Sequence, residues 1–213
     1  MNAFVVSSRR VAVPRLVLVA LAGACWAPVV HAHGISVDTL SHEHVAVWRA
    51  VWAGFVHPFT GVDHLLALLA VGAWRIHSDV AARPLPWVVT ACLSLGAALG
   101  LAGVRVPLTE ALIAASLCSL GVLLAWRVGA RSLLGVLPLA GALALCHGLA
   151  HGAELPVPHA AAAVIGLVLA SCVLQAAGIA LAHVWDGRNA WWPRLTGGAV
   201  AAFGLASLLG LPA

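Results

Sequence analysis

Two short stretches of this 213-residue chain hold most of its candidates for chemistry. The first runs His57-Pro-Phe-Thr-Gly-Val-Asp63-His64, and the second Cys146-His147-Gly-Leu-Ala-His151-Gly-Ala-Glu154. Each places two imidazoles and a carboxylate inside an otherwise apolar segment, where ionisable groups are costly and mark an ion path or a reaction. His147, His151 and Glu154 follow i, i+4, i+7 spacing, which puts all three on one helix face. His57 and His64 are seven residues apart, two helical turns with a small drift, and Asp63 can ligate or orient a neighbouring histidine. Imidazole with carboxylate suits a borderline divalent metal such as nickel, cobalt or zinc. Thiolate would favour softer ions, but a helical step of about 100° turns Cys146 off the face of His147. A single buried histidine is ordinarily a hydrogen-bonded core residue. Two histidine–acid sets in a chain with 7 acids point to a bound ion.

The remaining candidates are weaker. His33, with its ring and a free amine, and His42, Glu43 and His44 can together form an outer capture site for a metal. His77 reads as a loop residue, His159 and His183 as residues near segment ends, and Gln175 and Glu110 as packing polar groups.

The elements that carry these residues are read from composition. The chain is 62% apolar and 8% charged, with mean hydropathy +1.03. Soluble domains carry about 25% charged residues, so the sequence predicts an all-α integral membrane protein. All 11 basic residues are arginine, so there is no lysine for a phosphate loop of the Walker type. The net charge of +4 lies at segment ends rather than in a patch suited to nucleic acid.

Residues 1–32 read as a cleavable signal peptide: Arg9, Arg10 and Arg15, then the apolar run Leu16–Ala24, then the small-residue site Val30-His31-Ala32. Cleavage after Ala32 leaves His33 as the mature N-terminus. A lipoprotein site at Cys25 and an uncleaved first helix are the rival readings. Residues 33–213 then form one domain of six transmembrane helices, with apolar runs near 45–76, 86–104, 107–126, 132–152, 158–184 and 195–211, each close to the ~20 residues a crossing needs. Arg75, Arg83, Arg127, Arg131, Arg188 and Arg194 fall in alternate loops, while the other side has Arg49 and Arg105. The positive-inside rule makes the first set cytoplasmic, so both mature termini face outward. Trp74, Trp126, Trp185, Trp191 and Trp192 stand beside those arginines as interfacial indoles. The first run exceeds a crossing, and Pro58 with Gly54 and Gly61 predicts a helix kinked or broken near Pro58. Gly96 and Gly100 suit close helix packing, and Gly148 and Gly152 leave room for an ion or another helix. The first and fourth spans can each open a three-helix unit, the second inverted relative to the first. Cys92, Cys118, Cys146 and Cys172 lie in apolar runs and give no disulfide framework.

The pattern His57-X5-Asp63-His64 with Pro58 and Gly61, together with His147-Gly-X-Ala-His151-Gly-X-Glu154, resembles the HupE/UreJ family. The resemblance covers the signal, six spans and both motifs in order. It implies a nickel, sometimes cobalt, permease of the bacterial inner membrane, with both mature termini periplasmic, that supplies a hydrogenase or urease maturation system. It implies no permanent cofactor, Ni2+ or Co2+ as cargo, and His57, Asp63, His64, His147, His151 and Glu154 as functional residues. A homo-oligomer is compatible with it. Cys146 departs from the phenylalanine usual before His147, which bears on local packing. Two positive charges moving inward gain about 4.6 kcal/mol per 100 mV, enough to drive accumulation without ATP. Ligand histidines must be neutral, so uptake should fall at acid pH. The competing readings are an intramembrane zinc-dependent hydrolase, with Asp63 or Glu154 as general base, and a non-transporting metal sensor or accessory protein.

Overall fold

A break in the first apolar run sets the architecture. The computed structural model describes residues 39–76, 83–127, 133–153, 159–186 and 191–211. Helix α1 (Thr39–Thr60) ends at Gly61, and α2 (Val62–Ile76) leaves at 81° to it. Pro58, buried inside α1, supplies no N–H to the carbonyl one turn back. The break falls three residues later. There the Thr60 hydroxyl donates to the His57 carbonyl at 2.8 Å, and the Gly61 N–H reaches the same carbonyl at a stretched 3.3 Å. Asp63 lies in the first turn of α2, where a carboxylate favours a helix start. The expected break near Pro58 is therefore present, with Gly61 as the joint.

Five more helices follow: α3 (Leu85–Leu101), α4 (Thr109–Ala125), α5 (Leu133–Gly152), α6 (Ala160–Asp186) and α7 (Trp191–Leu208). No strand occurs among the described residues. Within α6, Ala160–Trp185 is long and apolar enough to cross a membrane, and α1 with α2 qualifies as one bent span. Helices α3 and α4 have 17 residues each, about 25 Å at ~1.5 Å per residue. The expected signal peptide, its cleavage point after Ala32, Cys25, His33, His77, Arg131, Glu154 and Arg188 lie outside the described residues, as do the side chains of His42, Glu43 and His44.

Close packing of three helix pairs fixes the direction of every element. A Cβ on Gly148 would run into the Leu93 carbonyl, and one on Gly152 into that of Ala97, so α5 advances along α3 in the same direction. Gly148 and Gly152 thus make room for a helix, not an ion. Gly54 meets Ala163 and Gly72 meets Gln175, so the broken pair α1–α2 also runs parallel to α6. Gly121 faces Gly197 and Ala201, whereas Gly204 faces Ala114 and Cys118, so α4 and α7 are antiparallel. Backbones this close need glycine, and dispersion between them holds helices together where no solvent-driven core exists.

Candidate metal centre

The break at Gly61 folds the first cluster onto the second. On an unbroken helix, seven residues separate two side chains by ~10.5 Å of rise. Here the rings of His57 and His64 are 5.6 Å apart between centroids, meeting edge to face. His64 projects toward α5, with its ring 5.1 Å from that of His147 and 3.5 Å from that of His151. One helical turn separates His147 and His151, and their rings lie 6.0 Å apart.

Asp63, His64, His147 and His151 each offer one ligand atom, and these four atoms all lie within 4.8 Å of one another. An ion with bonds of ~2.1 Å holds its ligands roughly 3–4 Å apart, so a contraction of about an ångström would close the group on a metal. The three histidines are buried, and Asp63 is partly so. Both ring nitrogens of His64 and Nε2 of His147 have no hydrogen-bond partner among the described residues. A buried polar atom left so costs about 1–3 kcal/mol. A cation bound among these rings would use their lone pairs, and the donor set of nitrogen with one carboxylate fits nickel, cobalt or zinc.

His57 stands one step back from the four. Its Nε2 lies 2.9 Å from Nδ1 of His151, so one of those nitrogens carries the shared proton. Gly61 matters to the carboxylate: a Cβ there would lie 2.9 Å from Asp63 Oδ1. Of the six expected residues, the structure brings Asp63, His64, His147 and His151 together and sets His57 beside them, while Glu154 lies outside the described residues. Cys146 is a half-buried thiol that does not join the group.

One sequence signal misled, and one polar residue packs as expected. Trp74, expected at a membrane interface beside Arg75, is 2% exposed and packed in the interior. The other tryptophans differ: Trp126 and Trp191 are exposed, with Arg194 stacked over Trp191 at 5.3 Å. Gln175 is buried, and its Nε2 donates to Thr90 Oγ1 at 2.8 Å, joining α6 to α3.

A broken apolar helix presenting histidines and an aspartate to a second histidine-bearing helix is an arrangement that could hold a metal ion. Residues 29–207 match the family described as HupE / UreJ protein, and the chain belongs to it. The chain is similar to Protein HupE of Rhizobium leguminosarum bv. viciae, at 34% identity over 183 residues that cover 83% of this chain and 94% of that relative. No solved structure matches. The family consists of membrane proteins associated with nickel and cobalt supply to hydrogenase and urease, and it is not a known enzyme family.

Proposed function

We propose that this protein is a secondary permease for a divalent transition metal, nickel or cobalt, and that Asp63, His64, His147 and His151 hold the ion in transit. The carrying observation is their convergence across two helices, with His64 and His147 buried and short of hydrogen-bond partners among the described residues. Each residue has a role that its chemistry allows. His64 and His147 offer ring nitrogens, and Asp63 offsets part of the ion's charge. When Nδ1 of His151 donates to His57, Nε2 of His151 presents its lone pair to the ion. In this reading His57 orients a ligand and sets its tautomer.

A six-span arrangement belongs to the same proposal. Alternating spans require the first and fifth to run parallel, the second and fourth parallel, and the third and sixth antiparallel. The packed pairs α1–α2 with α6, α3 with α5, and α4 with α7 have those directions. Large apolar side chains such as Leu139, Ile165, Leu195 and Leu205 face outward, as hydrocarbon contact demands. Placement in the inner membrane, both mature termini in the periplasm, a leader ending at Ala32 and delivery to a hydrogenase or urease system complete the reading. An outer capture site at His33, His42, Glu43 and His44, and Glu154 as a further ligand, belong to the same reading. The hydrolase reading draws no support from a family of metal-transport accessory proteins.

The test is uptake of radiolabelled nickel at low concentration in cells lacking other nickel importers. His64→Ala should abolish it at equal expression. Normal uptake by that variant would remove the site from the mechanism.

A further inference from the structure

A chamber of about 340 Å³ begins at the metal cluster and leads away from it. His64 and His147 form one end. Along α2 its wall continues through Ala67, Leu68 and Val71 to Trp74, a single helix stripe that carries it ~15 Å from His64. Along α3 the same stretch runs from Leu93 back to Leu85, and along α5 from His147 back to Leu139. Because α3 and α5 are parallel, both walls reach the same end of the molecule, the end where Arg75 follows Trp74. Trp74 and Leu85 meet the chamber there, exposed by only 2% and 1%.

Among the described residues, the chamber wall holds no strong metal ligand beyond the two histidines. Among the described residues its other polar groups are the Trp74 indole N–H, a donor that cannot ligate a cation, and the hydroxyls of Ser116 and Ser119, each donating to a carbonyl of its own helix, at 2.6 Å to Ile113 and 2.8 Å to Ala115. A passage with apolar walls stays dry while narrow and conducts once widened enough to wet, which is how hydrophobic constrictions gate.

We propose that this chamber is the inner half of the ion's path, linking the metal cluster to the cytoplasmic side, and that Trp74 is the side chain that shuts it. The proposal rests on the permease reading and adds a direction, a route and a gate. A bulky indole suits the task because it plugs an apolar passage without supplying a ligand that would trap the metal. The competing occupant is a lipid acyl chain, since Leu139 and Ser119 leave the flank between α4 and α5 exposed.

The test places a cysteine at Val71, inside the chamber, in a full-length protein whose own five cysteines are replaced by alanine. Labelling by a membrane-impermeant cationic thiol reagent is compared in inside-out and right-side-out vesicles. Val71→Cys should label from the cytoplasmic side, and adding Trp74→Ala should speed that labelling about tenfold. If that double variant does not fold, Leu85→Ala replaces Trp74→Ala and should act in the same direction. Labelling from the periplasmic side, labelling by a lipophilic maleimide alone, or a cytoplasmic rate indifferent to both substitutions would overturn the proposal. The readout does not need metal movement. Cytoplasmic labelling that depends on Trp74 in a protein that moves no metal would uphold the chamber and gate while the permease reading fell. Metal movement with labelling indifferent to both substitutions would overturn this proposal and leave the permease reading standing.

Discussion

His64 is where the two clusters meet, because its ring approaches both His147 and His151 while neither of its nitrogens has a hydrogen-bond partner among the described residues. It is also the first residue of the chamber wall. His57 acts at one remove, through the 2.9 Å contact with His151. Loss of such an orienting partner typically weakens metal affinity by 10–100-fold, whereas loss of a ligand leaves a hole in the coordination shell. In detergent-solubilised protein titrated with Ni2+ against a competing chelator, His57→Ala should therefore bind about 10–100-fold more weakly. His147→Ala should bind more weakly still. Equal losses in the two variants would make His57 a ligand instead.

At the scale of elements, the joint at Gly61 brings the site together and the glycine contacts hold it in register. The two kinds of glycine predict opposite outcomes. In Gly61→Ala the new methyl crowds the far end of Asp63 and makes only ordinary contact with His64, so the protein should fold while its carboxylate is displaced and metal affinity drops. In Gly148→Ala the methyl meets the Leu93 backbone, so α3 and α5 must part, at about 1–3 kcal/mol. Thermal unfolding followed by size-exclusion chromatography separates the two: a lowered midpoint for Gly148→Ala and a near-normal one for Gly61→Ala. The reverse order would mean that the joint, not the helix pair, is the structural weak point.

The sequence made one half of the site legible and hid the other. His147 and His151 follow helical spacing on an unbroken element, so their shared face could be read directly. The approach of His57 to His64 depends on a joint at Gly61 and an 81° bend, and proline position alone does not give either. The chamber left no trace because its Leu, Ala and Val stripes lie in helices apolar on every side, where periodicity vanishes. Trp74 was misplaced for the converse reason: a tryptophan beside an arginine looks interfacial, and only packing shows that its indole turns inward.

For the whole molecule, the helix pairs carry a pattern consistent with two related halves. If the broken α1–α2 corresponds to α5, α3 to α6 and α4 to α7, then the α3–α5 pair exchanges with α6 and the broken helix, and α4–α7 maps onto itself. Both observed parallel pairs and the antiparallel one obey this exchange. The Thr90–Gln175 hydrogen bond and the metal cluster both join helices that correspond. Inverted halves with a site between them are the usual architecture for alternating access. Six spans put both mature termini on one side, and the arginine-bearing loops make the other side cytoplasmic, so alkaline phosphatase fused after Ala213 should be active in the periplasm. Activity only from a fusion in the Ile76–Arg83 connection would reverse the orientation.

The most direct test of the central claim is Ni2+ influx into liposomes containing only this protein, under an imposed inside-negative potential. Two charges crossing gain about 4.6 kcal/mol per 100 mV, so the account predicts saturable, potential-dependent influx that His64→Ala and His147→Ala abolish. Influx no faster than in empty liposomes, from protein that still binds Ni2+, would contradict it and leave a membrane metal-binding protein that does not transport.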